Sequence, residues 1–231
     1  MYLMPGAAAE SRAWLADSLP RALPFSLYIG FLALTPLLAP HVADSRWLYA
    51  VQIGLVAAAL GFHWRRYVEL PSPLTTGWKN LGLAAAIGCG VFIAWINLEL
   101  PWLARAQGNG FNPSQPDGSL NMALVVLRIA GAAIVIPVME ELFWRSMVLR
   151  WFDRSEFLGL PARAVSNSAL LYCAIPFGLE HNLWFAGILA GLAYGWLYRH
   201  TGNLWVPVFS HSVTNLLLGL WVVSTGHWRF W

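Results

Sequence analysis

The chain has 231 residues, 58% hydrophobic and 11% charged, with a mean hydropathy of +0.56 and a formal net charge of +3. So apolar a composition excludes an ordinary soluble domain and indicates an integral membrane protein. The basic residues fall mostly between apolar stretches, where the positive-inside bias puts them, which argues against nucleic-acid binding.

The apolar stretches predict an all-α, polytopic transmembrane bundle of about seven to eight membrane helices, forming one integral membrane domain. A lead-in with Arg12 and Arg21 precedes span 1 (residues 24–42), and a short turn leads to span 2 (47–63). Arg65, Arg66 and Lys79 in the following loop, with the two lead-in arginines, predict a cytoplasmic N-terminus. Span 3 (80–100) then runs outward to a Gly-, Pro-, Asn- and Ser-rich external loop (101–120) that is too short for a domain. Span 4 returns from residue 121 and continues as helix to residue 151, while Arg145, Arg150, Arg154 and Arg163 collect at its far end. Spans 5 (164–180), 6 (183–198) and 7 (204–223) follow with short connections that force antiparallel neighbours, and the tail GHWRFW is expected outside or at the interface. Gly187, Gly191 and Gly195 form a ridge of small residues on span 6, a packing surface in lipid. Cys89 and Cys173 both lie in spans and read as buried small apolar residues.

Ionisable residues at bilayer depth cost several kcal/mol unless paired or facing a wet cavity, so they mark the candidate site. Glu140 and Glu141 end a run with one charge, Arg128. Arg145 is four residues beyond Glu141, so these two share a helix face and can pair, whereas Glu140, about 100° away, is free to accept a proton. The bland alternative is that the three mark a span end. Phe177 and His181 repeat the four-residue spacing near the end of span 5, and His211 and Asn215 do so within the polar run SHSVTN of span 7. Together Glu140, His181, His211 and Asn215 can hold and activate a water, with Glu140 as base, the imidazoles as relays or ligands and Asn215 as oxyanion donor. Glu140, His181 and His211 are also an acceptable zinc triad, although no HExxH is present, and no cofactor is certain. Trp144 and Trp184 are near enough in sequence to stack on a substrate.

The ordered motifs EExxxR (Glu140, Glu141, Arg145), FxxxH (Phe177, His181) and HxxxN (His211, Asn215), with the small-residue segment FAGILAGLAYGWLY between the last two, resemble the CAAX-prenyl endopeptidase and bacteriocin-processing (Abi) family of intramembrane proteases. The resemblance spans roughly residues 135–219. It implies an all-helical membrane protease that cleaves a peptide or prenylated protein, with the position of Glu140 as catalytic base, those of His181, His211 and Asn215 assisting, and Glu141, Arg145 and Phe177 supporting. Both metal-dependent and metal-free mechanisms have been argued for the family. The N-terminal half is similar to a bacterial subgroup that accompanies a protein-sorting system, which implies an inner-membrane location.

Rival classes are a non-catalytic scaffold or immunity-type protein of the same fold and a bis-histidine haem protein using His181 and His211. A transporter lacks an evident duplicated half. One conflict stands out: His181 falls at the outer end of span 5, while Glu140 lies about 28 Å along span 4 at ~1.5 Å per residue. The motifs meet only if span 4 starts later or span 5 is tilted, broken near Pro176, or dips in from the cytoplasmic side.

Overall fold

A computed structural model of the chain describes residues 5–105 and 110–231, so residues 106–109 of the expected external loop lie outside the described part. Seven helices make the bundle among the described residues: α1 (Pro5–Leu38), α2 (Leu48–His63), α3 (Trp78–Asn97), α4 (Met122–Trp151), α5 (Asn167–Leu179), α6 (Trp184–Thr201) and α7 (Trp205–Thr225). Five of them, α1 to α4 and α7, are long and apolar enough to cross a membrane. The protein is an integral membrane helical bundle.

α5 resolves the conflict between His181 and Glu140. It has 13 residues, or about 20 Å at ~1.5 Å per residue, and cannot cross a hydrocarbon core of about 30 Å. Its start is tied to the end of α4, because the Asp153 carboxylate accepts hydrogen bonds from the Ser166 backbone N–H and Oγ, both at 2.7 Å. The Ser166 hydroxyl in turn caps the helix by accepting from the Ala169 N–H at 3.0 Å. Running back for the length that separates Trp151 from Glu140, α5 ends with Glu180 and His181 level with the glutamates. The helix dips in and stops; it does not break at Pro176, which lies within its last turn.

α6 leaves this internal turn and packs on α5 through the glycine ridge. A Cβ on Gly187 would lie 2.8 Å from Gly178 Cα, and one on Gly191 3.0 Å from Ala174 Cα, so the backbones touch as the small-residue spacing predicts. α3 packs on α7 by the same device: a Cβ on Gly88 would lie 2.5 Å from the Ser210 carbonyl oxygen, and the Gly88 carbonyl accepts from Thr214 Oγ1 at 2.9 Å.

Two expectations are corrected. The lead-in to span 1 is already helix, and Arg21 is buried (1% exposed) rather than solvated. Span membership does not say which side of a helix faces its neighbours, and Cys89 is exposed on the outer surface of α3 while Cys173 is buried. The C-terminal tail, expected outside or at the interface, lies half-exposed over the end of the bundle, where the Trp231 carbonyl accepts from the Phe111 N–H at 3.1 Å and Arg229 pairs with Glu99 at 2.6 Å.

Arg21 is buried because Glu69, in the loop after α2, meets it with two parallel hydrogen bonds of 2.6 and 2.5 Å. Ser146 on α4 donates to the same carboxylate and accepts from Arg150 at 2.7 Å, joining α1, the loop and α4 on the Arg-rich face of the bundle. Burial alone would push the Glu69 carboxyl up, but the Arg21 hydrogen bonds and charge outweigh it and hold the group below its ordinary value of 4.5. A depressed carboxyl stabilises the fold above that ordinary value and loses the contribution as pH falls through the folded one. Glu69→Gln leaves Arg21 buried without its counter-charge and is expected to cost about 3–5 kcal/mol at neutral pH. Thermal unfolding in detergent should show this loss, together with a flattened acid limb in the variant below about pH 4.5.

Candidate active site

One cavity of about 150 Å³ lies between α3, α4, α6, α7 and the α5–α6 turn, and its lining includes Glu140, His181, His211 and Asn215. Volume of this order holds a few water molecules. The four candidate residues therefore share one space, although they come from three separate parts of the sequence.

Glu140 and Glu141 sit where α4 changes from α-helical turns (Ile136–Glu140) to π turns (Glu141–Val148), a widening common at functional sites. Both side chains are buried, and the helix sends them to different partners, as their offset predicts. Glu141 Oε2 pairs with Arg145 Nε at 3.1 Å, and its Oε1 accepts from His211 Nδ1 at 2.9 Å. The Arg145 guanidinium, itself fully buried, lies 4.1 Å over the Phe177 ring and 5.3 Å from that of Tyr194, which gives the charge two aromatic faces in place of water. This is the physical role of Phe177.

With Glu141 ionised beside Arg145, the proton between it and His211 belongs to Nδ1, which leaves His211 Nε2 bare. That nitrogen faces Glu140 Oε2 at 4.0 Å. The His211 ring is stacked on Tyr194 at 5.0 Å, and the Tyr194 hydroxyl donates to Thr214 at 2.8 Å. Position, tautomer and tilt of His211 are thus set by three helices. Glu140 has no such neighbours: its Oε2 is buried and has no hydrogen-bond partner.

His181 is turned by its own helix end. Nδ1 lies 2.8 Å from the Phe177 carbonyl, which can only accept, so the proton is on Nδ1 and Nε2 is again bare. The Trp95 indole meets this ring edge-on at 5.2 Å. Asn215 donates from Nδ2 to the Ala132 carbonyl at 2.8 Å, within the first π segment of α4 (Gly131–Val135), and keeps its second N–H and its carbonyl.

Sequence reasoning missed Glu180. Its ligand oxygen, that of Glu140 and a His181 ring nitrogen all lie within 4.8 Å of one another, a grouping able to hold a metal ion. Directly before His181 at the end of an apolar run, it reads in sequence as a boundary acid. Tyr194 and Trp95 were also missed, since aromatics are ordinary on apolar helices. Neither Trp144 nor Trp184 lines the cavity: Trp144 is packed edge-on against Phe177 and Phe25.

Residues 122–217 match the family model described as "Type II CAAX prenyl endopeptidase Rce1-like". This part of the chain is similar to the CAAX-prenyl endopeptidase and bacteriocin-processing family. A curated relative, "Putative membrane peptidase YdiL" of Bacillus subtilis (strain 168), is 27% identical over 92 residues, 39% of this chain and 35% of that protein. The chain thus spans about a third of the length of that relative. No solved structure matches. The Rce1-like segment contains all three motifs, and the helices before residue 122 lie outside it.

The two adjacent glutamates should separate in a stability measurement. Glu141→Gln strips a buried Arg145 of its counter-charge and should cost about 3–5 kcal/mol. Glu140→Gln removes no ion pair to arginine and should unfold within about 1 kcal/mol of wild type, the range of a substitution that breaks no network. Parallel thermal melts in detergent check the contrast; equal losses would mean that Glu140 is structural.

Proposed function

We propose that this chain is an intramembrane endopeptidase in which Glu140 activates a water for attack on a peptide bond. The observation that carries the reading is the unpartnered Glu140 carboxylate oxygen, buried in a polar cavity and facing the bare Nε2 of His211 at 4.0 Å. A buried carboxylate that stabilises nothing is costly, and a site that uses it as a base explains its retention.

In this reading a water donates a hydrogen bond to Glu140 and its oxygen attacks the substrate carbonyl. Glu140 takes the proton as the tetrahedral oxyanion forms, and the free N–H of Asn215 donates to that oxyanion. Collapse of the intermediate breaks the C–N bond, and the proton on Glu140 passes to the leaving amine. The water's second O–H donates to the bare Nε2 of His211, which orients its lone pair, and His181 flanks Glu140 on the side of Glu180. Glu141 and Arg145 act through His211 and touch no reacting atom.

The donor set also fits a divalent cation such as zinc: two carboxylate oxygens and an imidazole nitrogen gather within 4.8 Å, and His211 approaches from the Glu140 side. Glu140, Glu180 and His181 are the residues that would hold it, with Glu180 taking the place that the sequence triad gave to His211. When bound, the cation would acidify water and polarise the scissile carbonyl.

The similarity to the family model supports the substrate class: a peptide, or a protein carrying a prenyl group, presented from membrane lipid. The clustering of Arg65, Arg66, Arg154 and Arg163 supports an N-terminus on the cytoplasmic side, in a bacterial inner membrane, and the similarity of the N-terminal half supports partnership with a protein-sorting system.

The test is cleavage of farnesylated CAAX peptides and peptide precursors by protein in liposomes, comparing wild type with Glu140→Gln, His181→Ala and His211→Ala and measuring metal content on the same preparations. Glu140→Gln is expected to lower kcat by about 10²- to 10⁴-fold. Turnover by a folded Glu140→Gln protein at the wild-type rate would overturn the reading. Stoichiometric zinc lost on His181→Ala would establish the metal form, and equal activity in chelator would establish the metal-free one.

A further inference from the structure

A second, apolar groove runs along the α4–α7 pair on a different face from the polar cavity. It consists of two stretches of about 440 and 370 Å³ that share Ala133, Ile134, Phe209 and Ser212. Ile134 and Phe209 are exposed, so the groove opens toward lipid. On α4 it extends from Val126 to Val138, about 18 Å at ~1.5 Å per residue. One leaflet of a hydrocarbon core about 30 Å thick is about 15 Å deep, so the groove has the length of a single lipid chain.

Its end toward the Arg-rich face is polar. Thr76 and Trp205 line that end. Thr76 is 3% exposed, and its hydroxyl has no hydrogen-bond partner, a costly state for a buried donor. Trp205 donates its indole N–H to the Pro71 carbonyl and faces the Trp64 ring at 6.3 Å, while Trp78 beyond it is exposed. Tryptophans gathered in this way mark a membrane–water interface. Arg65, Arg66 and Lys79 adjoin them in sequence and are exposed, with the Lys79 ammonium 5.7 Å from the Trp78 ring. From inside outward the order is an apolar channel, a hydroxyl lacking a partner, an aromatic belt and three cations.

We propose that this groove holds one acyl chain of an anionic phospholipid, with an ester carbonyl accepting from the Thr76 hydroxyl and the phosphate beside Arg65, Arg66 and Lys79. Chain, ester and phosphate follow one another in a phospholipid in the order that the groove presents their partners. The occupant is a resident lipid and not a chain attached to a substrate. The cavity takes Ala132 and Glu140 from α4 and His211 and Asn215 from α7, whereas the groove takes Ala133, Ile134, Phe209 and Ser212. A chain tethered to a peptide at Glu140 would have to cross the seam that the bond from Asn215 to the Ala132 carbonyl closes. Lipid binding here requires only that the protein lies in a bilayer, and does not depend on the peptidase reading.

The probes are dioleoyl phosphatidylglycerol and phosphatidylcholine with the same chains, added to delipidated full chain in detergent. Native mass spectrometry counts bound lipids, and thermal melts follow stability, for wild type, Thr76→Val, Lys79→Gln and Ser212→Trp. Wild type should bind one phosphatidylglycerol at least tenfold more tightly than phosphatidylcholine. Its melting temperature should rise by about 5–10 °C when phosphatidylglycerol reaches about 100 times its Kd. Ser212→Trp fills the groove at a residue that does not line the Glu140 cavity, and should lose the bound lipid. Lys79→Gln should narrow the preference between the two lipids. Thr76→Val should melt no lower than wild type without lipid, because its hydroxyl has no protein partner, and should gain less from phosphatidylglycerol. Equal binding of the two lipids by wild type, a comparison that needs no variant to fold, would overturn the proposal. So would phosphatidylglycerol held by Ser212→Trp at wild-type affinity. Displacement of the bound lipid by farnesol at a lower concentration than by oleic acid would assign the groove to an isoprenoid, and the proposal falls. These readouts need no turnover, so they and the Glu140→Gln cleavage test can fail independently.

Discussion

The Glu141 carboxylate, held between Arg145 and His211, is the interaction on which the rest of the site depends. A guanidinium and a carboxylate taken from water into a helical bundle are each costly, and their attraction compensates only with good geometry and satisfied donors. Here the Arg145 guanidinium nitrogens have no hydrogen-bond partner and the charge rests against aromatic faces, while the imidazole of His211 meets the other oxygen of Glu141. The arrangement ties α4 to α7 through charge and to α5 and α6 through Phe177 and Tyr194. It also has a chemical consequence: an ionised Glu141 dictates which nitrogen of His211 carries the proton, and therefore what that ring presents to Glu140. The adjacent glutamates are chemically identical, and their different environments give them different tasks.

The second constraint is a length. A 13-residue helix joined to the end of a 30-residue one must stop partway along it, and it stops where the glutamates are. The turn carrying Glu180 and His181 then lies level with the glutamates, at one wall of the cavity, with Asn182 exposed. Irregular backbone at that depth is tolerated because it faces polar groups instead of lipid, and the Arg105 N–H reaches it from the loop to bond the Asn182 carbonyl at 2.8 Å. The glycine ridge of α6 completes the device by letting the outgoing helix lie directly against the incoming one.

Much of the site is legible in sequence because polar residues in apolar runs need a reason, and Glu140, Glu141, Arg145, His181, His211 and Asn215 each stand out on that ground. What is not legible is direction. Arg21 and Arg128 are visible as charges, but whether a cation near a span solvates, pairs or points into a cavity depends on neighbours many residues away; for Arg21 the neighbour is Glu69. Glu180 is hidden by its place at the edge of a hydrophobic stretch, and Cys89 by a face that periodicity leaves undetermined, since every face of α3 is apolar. The contradictory depth of His181 was itself a signal. Two motifs that must meet, on spans drawn so that they could not, indicate that one helix is shorter than the membrane is thick.

The cavity, at about 150 Å³, is smaller than the usual few hundred Å³ of a ligand pocket, so on the proposed peptidase reading a peptide would reach Glu140 only when a wall moves. The candidates differ in cost. Parting α4 from α7 breaks the buried bond from Asn215 to the Ala132 carbonyl and pulls His211 from Glu141, a loss of several kcal/mol. Lifting the tail that carries Phe230 and Trp231 breaks one backbone hydrogen bond to Phe111, the half-exposed pair of Arg229 with Glu99, which at an exposed site is worth no more than about 1 kcal/mol, and the ring contacts of Trp231 with Phe111 and of Phe230 with Trp221. The tail is the wall whose movement breaks no buried ion pair. Its movement would uncover the cavity near Trp95 and His181 while leaving the Glu141 network and the groups that orient His211 intact.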